Sequence, residues 1–328
     1  MIPRSSDWKN ALSKVIRDPA ELLVLLELPE ELLPAAHQAV ALFPLRVPHG
    51  YLNRIEKGNA NDPLLRQVLP LGEELTEVPG FSHDPVGDSS AAAQPGLLHK
   101  YQGRVLLTLT GGCAVHCRYC FRRHFPYGEE NPGRDSWQGV VEYLQKNPEI
   151  DELILSGGDP LLLNTSQLKR LTDRLQALPQ LKRLRIHSRL PLVLPERIDS
   201  ELLNWLAALP WQTILVIHAN HPHEIGEEQG EALMQLKHTG LTLLNQSVLL
   251  RGVNDDNETL QRLSEQLFAH GVLPYYLHQL DRVSGAAHFE VSDEEAKALH
   301  QALQATLPGY LVPRLVRELS GGACKQPL

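Results

Sequence analysis

The sequence predicts an α/β fold built on a parallel sheet and preceded by a helical extension. From residue 104 onward, short apolar runs alternate with helical stretches, and the runs start roughly thirty residues apart, about what one strand–helix unit requires. Their apolar, β-branched composition is typical of strands buried on both faces. Six strands are expected, at residues 105–110, 152–156, 183–187, 214–218, 242–248 and 273–278. Six units are too few for the eight of a closed barrel.

Helices are expected between these strands and ahead of them. The helical stretches lie near 48–57, 63–68, 136–146, 166–177, 200–209, 230–239 and 257–270. Ser6 and Asp18 are candidates for helix N-caps, and Pro19 occupies a first helical position. Residues 76–96 are rich in Pro, Gly and Ser, which predicts an irregular linker packed along the main domain.

The composition is that of an ordinary globular protein, and it narrows the range of partners. Of the 328 residues, 42% are hydrophobic and 21% are charged, and the net charge of −8 lacks the basic surplus of a nucleic-acid-binding protein. No apolar run is long enough to span a bilayer, and the N-terminus lacks the apolar core of a signal peptide. With clustered cysteines that cannot all pair, these features predict a cytoplasmic protein with no nucleic-acid and no membrane partner.

Three of the four cysteines cluster on one predicted loop. Cys113, Cys117 and Cys120 follow the first strand with the spacing Cys-x3-Cys-x2-Cys, where parallel α/β folds place their sites. Three thiolates are one short of the four that a closed zinc or iron–sulfur site takes. A 4Fe–4S cluster held by these cysteines would keep one iron open to a small molecule.

Two other arrangements of the cysteines compete with the cluster. A structural zinc site completed by His116 or His124 is an alternative, because a motif match is a hypothesis until its context is known. A disulfide framework is not, since three clustered cysteines cannot all pair and the fourth, Cys324, lies near the C-terminus.

The cysteine spacing, with Tyr119 before the last cysteine, resembles the signature of radical S-adenosylmethionine (SAM) enzymes. The resemblance implies a partial (β/α)6 barrel with its site on the loops after the strands. It also implies a 4Fe–4S cluster that binds SAM at the open iron and cleaves it to a 5′-deoxyadenosyl radical. The residues that the resemblance assigns to SAM are Tyr119, Ser156, Gly157, Gly158, Asp159, His187 and Gln246. For the Gly-Gly-Asp-Pro stretch, a plain tight turn is the alternative.

Four segments resemble one subgroup, the lysine 2,3-aminomutases, and most closely the short bacterial type that serves translation elongation factor P. They are residues 61–67, 95–101, 122–125 and 245–255. The resemblance implies an isomerase that converts L-α-lysine to β-lysine with pyridoxal phosphate in addition to SAM. It also implies an external reductant such as flavodoxin or ferredoxin, and a separate ligase that attaches β-lysine to elongation factor P.

Pyridoxal phosphate needs a lysine for its Schiff base, and the family carries this lysine in a Gly-rich segment near the C-terminus. Here Lys325 is the candidate, although a solvated lysine near a terminus is the alternative. Its neighbour Cys324 stands where the family often has Gly or Ser. The further residues assigned to this cofactor are Lys100, Tyr101, Arg104 and His278, the last in place of a tyrosine. The expected division is a helical region with linker at 1–100, the barrel at 101–315 and the segment with the cofactor lysine at 316–328.

Substrate recognition follows from the same resemblance. Arg122 is assigned to the α-carboxylate, for which a forked guanidinium is suited. Asp281 and Glu318 are assigned to the lysine ε-ammonium, because two acids neutralise a desolvated cation. Glu318 replaces the Asp of free-lysine enzymes, which leaves chain-length or stereochemical preference open.

Two rival functions remain. One is another aminomutase, acting on glutamate or making β-lysine for secondary metabolism. A glutamate side chain needs a cation where the acidic pair stands, so the pair argues against glutamate. The other is a non-catalytic iron–sulfur electron carrier, which needs neither the Gly-Gly turn nor a C-terminal lysine.

Overall fold

The computed structural model describes residues 7–128 and 137–328. The predicted helix starts at Ser6 and Ser136 lie outside these ranges. Within them, ten strands form one mixed sheet in which each strand neighbours the next along the chain. The strands are β1 (Ala92–Gln94), β2 (Leu97–Tyr101), β3 (Arg104–Thr110), β4 (Glu152–Gly157), β5 (Arg183–Ser188), β6 (Gln212–Ile217), β7 (Thr242–Val248), β8 (Leu273–His278), β9 (Arg314–Arg317) and β10 (Gln326–Pro327).

Strands β3 to β9 run parallel and form the barrel wall. All six predicted strands are confirmed, as β3 to β8, and the α/β fold with them. In β4, Leu153 and Leu155 are fully buried, which is why a continuous apolar run marked this strand. The seventh parallel strand, β9, was missed because it is only four residues long and has an arginine at each end.

Antiparallel strands extend the sheet at both edges. β1 and β2 precede β3, so the stretch expected as an irregular linker already contributes a strand. At the other edge, β10 pairs with β9, with Gln326 opposite Arg317 and Pro327 opposite Val316. The C-terminal segment therefore returns to the sheet directly after Lys325.

Twelve α-helices lie within the described ranges. They are α1 (Asp7–Ser13), α2 (Pro19–Leu25), α3 (Leu33–Leu42), α4 (His49–Leu52), α5 (Pro63–Arg66), α6 (Gln138–Lys146), α7 (Thr165–Leu175), α8 (Leu190–Val193), α9 (Ser200–Ala207), α10 (Glu227–His238), α11 (Asn257–Ala269) and α12 (Asp293–Thr306). The predicted cap is confirmed, since the Asp18 carboxylate accepts from Ala20 N at 2.9 Å. None of the helices in these ranges is long and apolar enough to cross a membrane.

Two of the longer helices were not predicted. α3 begins without a hydrogen-bonding side-chain cap. α12 did carry a signal, because Ser292 and Glu295 form a reciprocal capping box at its start.

The N-terminal helices share the core of the barrel. Leu22, Tyr51 and Leu64 are fully buried and belong to the same contiguous cluster as Leu155 and Ile186 of the sheet. The extension is thus packed onto the barrel wall, and it supplies groups that hold the loop after β3.

Candidate active site

The loop after β3 carries the three clustered cysteines, and buried ion pairs anchor it. Arg118, within the cysteine motif, donates to Glu74 at 2.6 Å, and Arg123 donates to the same carboxylate at 2.7 Å. The side chains of Arg118 and Glu74 are fully buried. Since an unpaired buried charge is very costly, this shared carboxylate fixes the loop against the N-terminal extension.

The three thiols lie in one neighbourhood. Burial first, and then Cys120, raises the pKa of the Cys113 thiol. Burial and then Cys117 raise the pKa of Cys120 to about 11. Within residues 7–128 and 137–328, no three Cys, His, Asp or Glu side chains converge closely enough to hold a metal ion as they stand. The donor set nevertheless fits a 4Fe–4S cluster in kind and number, with three sulfurs on one loop.

The two histidines of the zinc alternative are engaged elsewhere. His116 Nδ1 is hydrogen-bonded to Pro44 O at 2.7 Å, and its ring stacks on Phe43. His124 Nε2 is hydrogen-bonded to Ser284 O at 3.2 Å. These contacts do not support a zinc site shared with the cysteines.

The Gly-Gly turn after β4 packs against the cysteine loop. Gly157 has a φ of +110°, and a Cβ on Gly158 would lie 2.2 Å from Gly112 O. Gly158 N and Asp159 N donate to Thr110 O and Gly112 O at 2.6 and 2.8 Å. The close approach of two loops is therefore a structural reason for the glycines, and their contact with SAM stays a prediction.

Asp159 ties this turn to the loop after β5. Its carboxylate accepts from the Ser188 hydroxyl at 2.8 Å and from Arg189 N at 2.8 Å. Burial raises the pKa of Asp159 to about 6, although these hydrogen bonds oppose the shift. Both oxygens are used within the protein, so its assignment to SAM is not directly supported by a free acceptor.

Tyr119 is buried beside the cysteines. Its hydroxyl accepts from Asn220 Nδ2 at 2.7 Å and donates to Gln67 Oε1 at 3.3 Å. The ring packs edge-on against Phe289, with centroids 6.0 Å apart. The ring is thus held rigidly next to the loop, and its contact with SAM stays a prediction.

Uncharged histidines line the barrel interior. Gln246 Nε2 contacts His218 Nε2, and it lies 3.4 Å from His187 Nδ1. Burial lowers the pKa of His187, His218 and His278, to about 4 for His218. The Lys325 ammonium adds to each of these shifts, so it faces the same interior. Within the part of the chain that the structure describes, Nε2 of His187 and Nε2 of His278 are buried without a hydrogen-bond partner.

An alternating chain of charges connects the residues assigned to substrate and to pyridoxal phosphate. The Lys325 ammonium pairs with Glu318 at 2.5 Å, and Lys100 pairs with the same carboxylate at 3.0 Å. Lys100 also pairs with Asp88 at 2.5 Å, and Arg122 Nε donates to Asp88 at 2.7 Å. Burial opposes ionisation of Glu318, but Lys325 and Lys100 lower its pKa to about 2.

Asp281 faces this chain without joining it. Burial raises its pKa to about 7, and Glu318 adds to the shift while Lys325 opposes it. Across the described ranges, its carboxylate forms no hydrogen bond or ion pair. It is thus an acceptor that a cationic ligand can use.

Tyr101 lies beside Glu318, and Arg104 lies against the Tyr101 ring. The Tyr101 hydroxyl is hydrogen-bonded to Glu318, and burial together with this carboxylate raises the pKa of the tyrosine. The Arg104 guanidinium lies 4.7 Å from the centre of the Tyr101 ring. Within residues 7–128 and 137–328 Arg104 has no ion pair, so its charge is available to a phosphate.

Several residues that complete these contacts had no role predicted from the sequence. Asp88 lies in the stretch expected as a linker, and no local pattern marked it. Glu74, Glu224 and His218 gain their contacts from distant segments, which one sequence does not reveal. Arg189 stands directly after the third predicted strand, and its position at a strand end was the available signal.

The parallel strands, the three-cysteine loop and the glycine turn beside it define a radical SAM protein. The Radical SAM superfamily matches residues 107–263. The chain is 52% identical to an L-lysine 2,3-aminomutase of Escherichia coli, over 99% of this chain and 95% of that protein. It is 49% identical to an L-lysine 2,3-aminomutase of Haemophilus influenzae, over 98% and 95%. The protein belongs to the L-lysine 2,3-aminomutase family, which confirms the family resemblance found in the sequence, while the link to translation elongation factor P stays a prediction.

Among solved structures, a radical SAM methyltransferase from Sphaerobacter thermophilus is similar to this chain. It matches at a TM-score of 0.47 and 19% identity, over 67% of this chain and 68% of that one.

Proposed function

We propose that the protein is an L-lysine 2,3-aminomutase that moves the amino group of L-lysine from C2 to C3. The observation that carries the proposal is the close grouping of Lys325, Glu318 and Asp281 in a chain 52% identical to an enzyme of that name. The 2-amino and 3-amino forms are isomers, so the reaction needs no net oxidant or reductant.

Three groups are implied by the family: a 4Fe–4S cluster, SAM and pyridoxal 5′-phosphate. We assign the cluster to Cys113, Cys117 and Cys120. We assign the Schiff base with the aldehyde carbon of pyridoxal phosphate to the Lys325 amine. When bound, the cluster and SAM supply hydrogen-atom abstraction, and pyridoxal phosphate supplies delocalisation of an unpaired electron. The protein holds these groups in register and excludes water and oxygen.

Arg122 is prepared to orient the substrate carboxylate. Its Nε is occupied by Asp88, and Nη1 lies 3.3 Å from the Ser156 hydroxyl. Nη2 has no hydrogen bond among the described residues, so it is the atom that can donate to a carboxylate. Phe121 and Phe125 flank the guanidinium at 5.0 and 5.7 Å, which holds its plane.

Asp281 and Glu318 are proposed to hold the ε-ammonium of lysine. Asp281 has a free carboxylate, and a neighbouring ammonium would favour its ionised form. Glu318 is already shared by Lys100 and Lys325, so its part in substrate binding depends on its release from Lys325. Two acids at this position disfavour glutamate as the substrate.

For the phosphate of pyridoxal phosphate, Arg104 is the available cation. Lys100 is committed to Asp88 and Glu318, whereas Arg104 contacts the ring of Tyr101 without an ion pair in the described ranges. The unpartnered Nε2 of His278 is a further group for this cofactor. A plain electron carrier has no use for these groups, which supports the enzymatic function.

The cellular role is a finer proposal. On the resemblance to the short bacterial type, we infer that β-lysine is passed to a ligase that modifies translation elongation factor P. A flavodoxin or ferredoxin is the proposed reductant. The four cysteines are free, which suits the reducing cytoplasm.

The test is an anaerobic assay of reconstituted protein with SAM, pyridoxal phosphate, dithionite and L-lysine. Mass spectrometry after derivatisation separates β-lysine from α-lysine. We expect β-lysine from the parent and from Cys324→Ala, whose thiol is exposed, and none from Cys117→Ala. L-Glutamate is offered in parallel. Isomerised glutamate without β-lysine would overturn the proposed substrate, and absence of both products would overturn the aminomutase.

A further inference from the structure

One buried cation contacts the cysteine loop directly. Arg189, the residue after β5, is 7% exposed, and its Nη1 donates to Cys117 Sγ. Its Nη2 donates to Glu224 Oε2 and to Gln67 Oε1, both at 2.7 Å. The guanidinium is thus fixed between one cysteine sulfur and one carboxylate.

The surroundings keep this cation in place. The rings of Tyr51 and Tyr119 lie 5.6 and 5.8 Å from the Arg189 guanidinium. Asp159 accepts from Arg189 N, which fixes the backbone of the same residue. A guanidinium held by rings, by a carboxylate and through its backbone cannot easily swing away from Cys117.

Glu224 is the counter-ion of Arg189. Its carboxylate is fully buried and accepts from Asn220 N at 2.8 Å and from His221 N at 3.1 Å. Burial opposes ionisation, but Arg189 and the hydrogen bonds from Asn220 N and the Gln67 amide lower the pKa of Glu224. The Arg189 guanidinium therefore contacts the Cys117 sulfur directly, and the Glu224 carboxylate contacts the guanidinium.

We propose that Arg189 raises the reduction potential of the 4Fe–4S cluster that Cys117 helps to hold, and that Glu224 partly offsets this effect. The proposal rests on the cluster assigned above. One-electron reduction adds a negative charge to the cluster, and an external donor supplies the electron without any bond being made or broken. A hydrogen bond and a positive charge at a ligand sulfur stabilise the reduced form more than the oxidised form.

Because Arg189 and Glu224 carry opposite charges, removing each of them should shift the reduction potential in opposite directions. The cluster is reconstituted in the parent, Arg189→Met, Glu224→Gln and the double variant, without SAM, pyridoxal phosphate or lysine. The midpoint potential is measured by titration with dithionite, followed by the electron paramagnetic resonance signal of the reduced cluster. We expect the highest potential in Glu224→Gln, then the parent, then the double variant, and the lowest in Arg189→Met. The double variant lies below the parent because the guanidinium is closer to the sulfur than the carboxylate is.

Arg183→Met is the matched control. Arg183 begins β5 and pairs with Asp151, about 20 Å from Arg189 along the strand. Its removal should leave the potential at the parent value. A general loosening of the fold would instead move all variants in one direction.

Equal potentials in the parent and Arg189→Met would overturn the proposal, as would a downward shift in Glu224→Gln. If Arg189→Met takes up no iron, Arg189→Lys replaces it, and a value between the parent and the double variant is expected. The measurement contains no substrate, so ordered potentials without β-lysine formation would overturn the proposed function alone.

Discussion

The cysteine loop and the lysine-bearing end of the barrel differ in how their buried charges are satisfied. On the loop, Arg118 and Arg123 both pair with Glu74, at 2.6 and 2.7 Å. At the other end, Asp281 has no ion pair or hydrogen bond within residues 7–128 and 137–328, and His278 Nε2 is buried without a partner. The carboxylate that anchors the loop is fully paired within the protein, whereas the lysine-bearing end also presents groups that a ligand can satisfy.

This difference separates structural from ligand-dependent stability. Buried polar groups in native proteins are nearly always hydrogen-bonded, so unpartnered ones mark a place for a ligand. A substitution at the charges that anchor the loop should therefore act on the fold. A substitution at the lysine-bearing end should act on binding and leave the fold intact.

The largest expected effect is at Lys325. Lys325→Ala should abolish the covalent pyridoxyl label that borohydride leaves on the C-terminal peptide, because this side chain reaches the barrel interior beside Glu318. Iron content should stay at the parent level, since the cysteines lie on another segment. Peptide mapping by mass spectrometry is the measurement.

The control is Lys297→Ala, an exposed lysine on α12, which should keep the label. A label that persists in Lys325→Ala on some other lysine would contradict the assignment.

Among substitutions at the charges that anchor the cysteine loop, Glu74→Gln should destabilise the fold most. The change leaves two buried arginines without their anion, and breaking such a pair costs about 3–5 kcal/mol. Chemical denaturation of the ligand-free protein measures the loss. Glu73→Gln is the matched control, because the neighbouring side chain is exposed and should change little. Equal stabilities for both variants would refute the anchoring role.

Asp281→Asn should weaken lysine use while leaving the fold and SAM binding near parent levels. Losing one acid leaves the substrate ammonium half compensated, at a cost of roughly 2–5 kcal/mol. That corresponds to about a 30- to 5000-fold higher KM. The β-lysine assay and SAM binding by equilibrium dialysis decide the matter. Unchanged KM in this variant would remove Asp281 from the ammonium site.

The smallest expected effect is in the pH dependence. The pKa of Asp281 is raised from 3.8 to about 7, first by burial, so the carboxyl is protonated below that pH and cannot pair with an ammonium. Lysine binding should strengthen as pH rises toward 7, by about tenfold per unit. KM measured from about pH 6 to pH 8 tests this, and the profile of Asp281→Asn should be flat. A parent profile as flat as that of the variant would refute it.

The stability of the ligand-free protein should change with pH in the opposite direction to lysine binding. Because the folded pKa of Asp281 lies above the unfolded value, its contribution is fully present below about pH 4 and is lost as pH rises through 7. The unfolding free energy of the parent should therefore fall relative to that of Asp281→Asn over this range. A constant difference would contradict the raised pKa.

The sequence predicted the barrel strands well because burial on both faces leaves a continuous apolar run. It missed β9, because the arginines at its two ends leave an apolar run of only two residues. It also expected the cysteines, the glycine turn and Asp281 to follow parallel strands, and the structure has them after β3, at the end of β4 and after β8. Asp88 and Glu224 could not be assigned, because their partners come from segments distant along the chain. The roles of the site residues remain proposals.

The contact between Gly112 and Gly158 has a consequence for how this protein can vary. A Cβ on Gly158 would meet backbone atoms at 2.2 and 2.8 Å, and a main chain cannot step aside as a flexible side chain does. A substitution at residue 158 therefore requires the backbone of the cysteine loop to move as well. A library that randomises residue 158 should return glycine in every active clone, whereas residue 321, whose Cβ would enter open space, is limited by its backbone angle alone.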